Sequence, residues 1–131
     1  MTTKSLAVWA KNGSIVPLDS RGSMGLHYFP KSGGEFFLLE GDIAEYSQVH
    51  ASPALDFYRL EIESKKDRDY QWVVHHVEKP AAVGFEETKY REVARQNDLE
   101  DRCWWWDASQ KNLHVRLKVK AAEDAIVNVE W

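Results

Sequence analysis

The sequence predicts an all-β chain: an antiparallel β-sandwich of about eight to ten short strands, immunoglobulin-like or jelly-roll-like, with little helix. Three observations carry this. Residues 57–64, FYRLEIES, alternate cleanly, with Tyr58, Leu60 and Ile62 on one side and Arg59, Glu61 and Glu63 on the other. Leu113, Val115, Leu117 and Val119 alternate with His114, Arg116, Lys118 and Lys120, the strongest period-two signal in the chain. Successive strand residues face opposite ways, so such alternation describes a strand with one face buried. Finally, short apolar runs are cut throughout by Gly, Pro and Asp, and only one stretch carries a helix-forming composition.

Taken in order, residues 1–5 are polar and expected to fray. Ala7-Val8-Trp9 reads as a short strand ended by the turn around Asn12-Gly13. Ser14 to Leu18, Leu26 to Pro30 and Glu35 to Leu39 follow as strands, the last two joined across a two-glycine turn. The polar stretch EGDIAEYSQVHASPALD, closed by Pro53, reads as a connection. After the 57–64 strand and the charged turn KKDRD comes YQWVVHHV. Tyr70, Trp72 and Val74 share one side there, and Val73, His75 and Val77 the other. Both sides are therefore covered, or one carries a ligand, until Pro80 ends the run. Residues 85–102 hold helix formers, but Tyr90 and Val93 give too thin an apolar face for an independent helix. A polar excursion with one strand or one helical turn is expected. CWWWDASQKNLHVRLKV is a β-hairpin in outline, and AIVNVEW a final strand.

Several of these letters resemble the region after the catalytic barrel in glycoside hydrolase family 31, the α-glucosidase and α-xylosidase family. They are Gly13-Ser14-Ile15-Val16-Pro17-Leu18, then Tyr28-Phe29-Pro30, then Gly34-Glu35-Phe36-Phe37-Leu38-Leu39-Glu40-Gly41-Asp42 and Tyr46. Trp104-Trp105-Trp106-Asp107 through Leu113-His114-Val115-Arg116 resemble that family's distal β-sandwich. The resemblance implies a single accessory sandwich over 1–131. Residues 1–46 would match the end of the proximal domain that follows the barrel, and 47–131 the distal C-terminal domain. Met1 stands directly before the middle of a family motif, so an excised piece of a longer polypeptide is expected. Relatives usually carry two acidic residues and a glycine where this chain has Glu40-Gly41-Asp42, so no role is carried over to that turn. The implied job is non-catalytic: to brace the barrel of the same polypeptide and contact α-linked oligosaccharide. The alternative is a free-standing carbohydrate-binding module.

The totals agree with one domain of ordinary globular composition: 131 residues, 44% hydrophobic and 29% charged. A net charge of -4 argues against nucleic acid, whose binders gather Lys and Arg on one face. No run reaches the length of a helical membrane span. The lone cysteine, Cys103, excludes an intrachain disulfide. A retaining glycosidase needs two carboxyl groups about 5 Å apart, and the resemblance puts both on the preceding barrel. No catalytic residue, metal or cofactor is therefore expected here. The acidic residues read as solvated charge. His75 and His76, adjacent on a strand, would point to opposite faces and not share a metal. Cys103 beside three tryptophans reads as a small core residue rather than a nucleophile served by His114 or His76.

Trp104, Trp105 and Trp106 are the most informative constellation. If Trp105 enters the core, Trp104 and Trp106 stand side by side outside, about 6.5–7 Å apart. With Trp72 as a third member they would form a platform for sugar rings or for a neighbouring domain. In the opposite orientation Trp104 and Trp106 are core and Trp105 alone is outside. Trp72 and Trp9 otherwise read as core, and Trp131 as partly exposed.

Overall fold

The computed structural model describes residues 15–20, 23–30, 34–40, 45–54 and 56–131. The expected Ala7–Trp9 strand, Trp9 itself and the Gly41-Asp42 part of the acidic turn lie outside them. The described residues form a two-sheet sandwich. In chain order the strands are β1 (Ile15–Ser20), β2 (Ser23–Tyr28), β3 (Gly34–Glu40), β4 (Glu45–Pro53), β5 (Phe57–Ser64) and β6 (Arg68–Val74). Then come β7 (Ala82–Phe85), β8 (Thr88–Lys89), β9 (Arg91–Glu92), β10 (Cys103–Asp107), β11 (Asn112–Val119) and β12 (Glu123–Glu130). The first sheet runs β1-β2-β6-β11-β10-β9 and the second β3-β4-β5-β12-β7-β8. Their pairings are antiparallel except β2 with β6 and β9 with β10. The all-β sandwich is confirmed, with β8 and β9 adding two two-residue strands.

The clearest alternations fold as read. In β5, Leu60 and Ile62 face the core with no exposure; in β11, Leu113, Val115, Leu117 and Val119 are likewise buried. Burying such side chains stabilises by about 1.5–3 kcal/mol each, which is what holds the register. The stretch taken for a connection differs: Glu45–Pro53 is the full strand β4, paired with both β3 and β5. Its inward residues Ser47, Val49 and Ala51 are small, so the period-two signal is present but faint. Ser47 and Ser64 are buried polar groups, and both are satisfied. Ser47 Oγ accepts from the Lys65 amide at 2.9 Å, and Ser64 Oγ lies 3.0 Å from the Tyr70 hydroxyl and donates to the Lys66 carbonyl at 2.6 Å. β4 runs across residue 46, and strands from both sides of that point share both sheets.

The 85–102 excursion contains β8, β9 and one 3-10 turn at Gln96–Asp98. It sets Val93 and Leu99 over Cys103, with Trp105 against them, as a second small apolar cluster. Arg116 donates to the Leu99 carbonyl at 3.2 Å, and Asp101 Oδ1 accepts from the Lys118 amide at 2.8 Å, which fastens the excursion to β11.

Between β6 and β7 the chain crosses from one sheet to the other, and indoles from both sheets hold this crossover. Trp106 of β10 donates its Nε1–H to the Val77 carbonyl at 3.1 Å. Trp131, just past β12, donates to the Glu78 carbonyl at 2.8 Å. The Val77 amide donates to the Lys111 carbonyl at 3.0 Å, and Lys111 pairs with Glu78 at 3.1 Å.

Candidate functional site

The tryptophans adopt the second of the two orientations. Trp72 is 0% exposed and Trp104 4% exposed, both within the main core. Trp106 packs on that core with its N–H taken by Val77. Trp72 and Trp104 thus lie buried between the sheets and Trp106 half-buried against the same core, so the three rings do not stand side by side on the outer face. Trp105 is the outward member of the triplet, half-buried.

Register brings Trp105 into a different constellation. Trp105 pairs with His114, His114 with Val73, and Val73 with His27, so the four stand in one row across the outer face of the first sheet. The Trp105 and His114 ring centroids are 4.9 Å apart. His75, at the end of β6, lies with Nε2 2.9 Å from Nδ1 of His27, and Phe29 stacks on it at 4.3 Å with planes 7° apart. Val73 is 5% exposed although it points outward, because these rings cover it. Both sides of β6 are thus covered, one of the two alternatives open for YQWVVHHV. His76 is exposed, in a left-handed conformation (φ 59°), with its ring centroid 6.2 Å from that of His75 and tilted 52° to it.

The stripe is electrically neutral for stated reasons. Burial pushes His114 down to about 4, against a smaller upward pull from Asp107 and further lowering by His27 and His75. Gln71 Nε2 donates to His114 Nδ1 at 3.1 Å, which only an unprotonated nitrogen can accept. Burial also lowers His27. It lowers His75, with the neighbouring imidazoles His27 and His76 adding to the effect and a hydrogen bond to the Asn112 side chain opposing it. This row therefore presents rings and amides rather than charge near neutral pH, while further along the same face Arg116 pairs with Asp69 at 3.5 Å and Lys118 is exposed. The outer face of the second sheet is the reverse, with Arg59, Glu61, Glu63 and Asp124 outward and ion pairs Arg59–Glu61 and Lys65–Glu63 at 3.9 and 3.5 Å.

Asp107, beside the stripe, is held below the usual carboxyl range by the Ser109 hydroxyl and by the Ser109 and Gln110 amides. A glycosidic general acid needs the opposite shift. Cys103 is 3% exposed in the small cluster, and β-sheet register sets Arg116, not His114, opposite it. Among the described residues no group of three or more His, Cys, Asp or Glu is arranged to hold a metal ion. Alternation showed which residues of β6 and β11 face outward, but the row of His27, Val73, His114 and Trp105 depends on long-range register that single strands do not encode.

No protein-family profile and no curated protein matches the chain. Solved structures do. A cycloalternan-forming enzyme from Listeria monocytogenes, in complex with pentasaccharide substrate, superposes with a TM-score of 0.75 at 15% identity, over 92% of this chain and 13% of that one. A glycoside hydrolase family 31 dextranase from Flavobacterium johnsoniae, complexed with glucose, gives 0.70 at 13% identity over 92% and 19%. An α-1,4-glucan lyase from Gracilariopsis lemaneiformis gives 0.65 at 14% identity over 89% and 16%. The likeness is one of fold. The resemblance to family 31 read from the sequence thus reappears in the architecture, and this chain spans less than a fifth of each of these proteins.

Proposed function

We propose that this chain is a non-catalytic accessory β-domain of a family 31-like glycoside hydrolase, bracing the catalytic (β/α) barrel of its own polypeptide. The observation that supports this is the fold match: nearly the whole chain superposes on a small fraction of much larger carbohydrate-active enzymes. The neutral row of Trp105, His114 and His27, with Phe29 at its end, supplies a face that a neighbouring domain covers at low desolvation cost. The test is association in trans. The chain is mixed with the barrel-containing remainder of the same polypeptide and followed by calorimetry, while α-glucoside turnover is assayed on the chain alone. A stoichiometric complex with no turnover by the isolated chain is expected. Hydrolysis by the chain alone, or no association, refutes the reading.

A second reading, a free-standing carbohydrate-binding module, draws on Phe57 and Trp131, aromatic side chains 40% and 37% exposed at one end of the sandwich. It predicts saccharide binding with no affinity for the barrel.

A further inference from the structure

Phe57 and Trp131 are not isolated surface rings. With Asp56, Asn128 and Glu130 they line an open cleft of about 300 Å³ on the second sheet, at the end where β5 begins and β12 finishes. That volume lies at the small end of ligand sites, which span about 300–1,000 Å³. Register explains the grouping: Glu130 stands opposite Phe57 in the β5–β12 ladder, and the Trp131 amide donates to the Asp56 carbonyl at 3.2 Å.

Two features of the cleft leave polar groups available to a ligand. Some exposed carboxylates on this domain have a basic partner, as in the Lys79–Glu92 and Arg91–Glu100 pairs, and others such as Glu86 and Glu87 have none among the described residues. Among the described residues the side chains of Asp56 and Glu130 make no hydrogen bond or ion pair. Asn128 Oδ1, in the cleft wall, is shut off from solvent and has no hydrogen-bond partner. Buried polar atoms are normally satisfied, so an orphan in a cleft wall marks a group held ready for something else. A half-turn of the amide exchanges its oxygen and nitrogen and presents the acceptor to the cleft.

We infer that this cleft is a saccharide subsite, taking a pyranose unit of an α-linked oligosaccharide. A pyranose carries a C–H face that packs on Phe57 or Trp131, and hydroxyl donors around its rim that the Asp56 and Glu130 carboxylates and the Asn128 amide accept. Trp131 is fixed for this role, because its N–H is tied to Glu78 and Tyr58 packs against its ring at 4.7 Å and 64°. The site differs from the Trp104–Trp106 platform in place and in chemistry: acceptors dominate it, and its aromatic rings are already at the surface. The choice of α-linked sugar rests on the accessory-domain reading. The binding itself is read on the chain alone, so its failure leaves docking to the barrel untouched.

The test is titration of the ¹⁵N-labelled chain with maltotriose and isomaltotriose to tens of millimolar, following amide and indole resonances, with calcium chloride titrated separately. Expected are shifts centred on the Trp131 indole, Phe57 and Asn128, with a dissociation constant in the millimolar range. Phe57→Ala and Asp56→Asn each weaken binding about fivefold or more, while the folded spectrum is retained. No shift with either sugar, shifts centred elsewhere, or a response to calcium without one to sugar each overturn the proposal.

Discussion

His114 shows how one side chain couples the site to pH. Its imidazole is pushed to about 4 chiefly by burial, against an ordinary value of 6.5. The unfolded chain therefore takes up this proton first. Stability is fully present above about pH 7 and is lost as pH falls through 6.5, levelling only near the folded value. The imidazole keeps some solvent contact, so the effect is discounted to about 1 kcal/mol between pH 7.5 and 5. His27 and His75, lowered by the same burial, act in the same direction. Urea unfolding at both pH values is expected to show this loss, and His114→Gln to show a measurably smaller one. An unchanged pH dependence in the variant contradicts the assignment. At this scale the sequence was partly legible. Alternation required one of the three indoles to face away from the other two, but which way the triplet turned depends on the core. The void between the sheets is filled by Trp72 and Trp104, so Trp105 is left outside. The cleft residues gave no such signal: Asp56 and Glu130 read as ordinary solvated charge, and only the β5–β12 register brings them beside Phe57 and Trp131.

At the scale of elements, the strongly alternating strands β5 and β11 were readable because large aliphatic side chains mark one face. β4 was not, since Ser47, Val49 and Ala51 bury little area. Residues 85–102 were readable as an excursion, and β9 within them adds a parallel partner to β10 that no local pattern announces. The β7–β8 turn is tight enough that a Cβ on Gly84 would run into the Thr88 carbonyl oxygen. The crossover between β6 and β7 is the element on which both sheets meet. Trp106→Phe keeps a ring in the core but leaves the Val77 carbonyl without its indole donor. The expected loss is about 1 kcal/mol, a fall of a few degrees in Tm. Trp131→Phe, with its more exposed N–H bond to Glu78, should cost less. Hydrogen exchange at the Val77 amide, which donates to Lys111, should quicken in the Trp106 variant. Equal stability and unchanged exchange at Val77 contradict the crossover's dependence on the indole.

Across the whole molecule the two outer faces differ in kind, and this asymmetry has a consequence for the isolated chain. The second sheet shows water a lattice of alternating charges, which resists stacking on itself because each ion would have to be desolvated. The first sheet shows a stripe of neutral imidazoles, the Trp105 ring and Phe29, which is 39% exposed, with the charges of the Arg116–Asp69 pair and Lys118 beside that stripe. The burial of such a face costs little, so without a barrel to cover it a second copy is the natural substitute. Sedimentation velocity is expected to show a concentration-dependent monomer–dimer equilibrium. Phe29→Glu places a charge at the end of the stripe and shifts the equilibrium to monomer; Glu61→Gln on the opposite sheet leaves it unchanged. On the proposed docking to a barrel, adding the barrel-containing remainder displaces the dimer, because both partners would use the same face. A monomer at every concentration removes the idea. A dimer indifferent to Phe29→Glu also removes it, since association would then run through strand edges such as β1 or β3, each of which ends a sheet among the described residues.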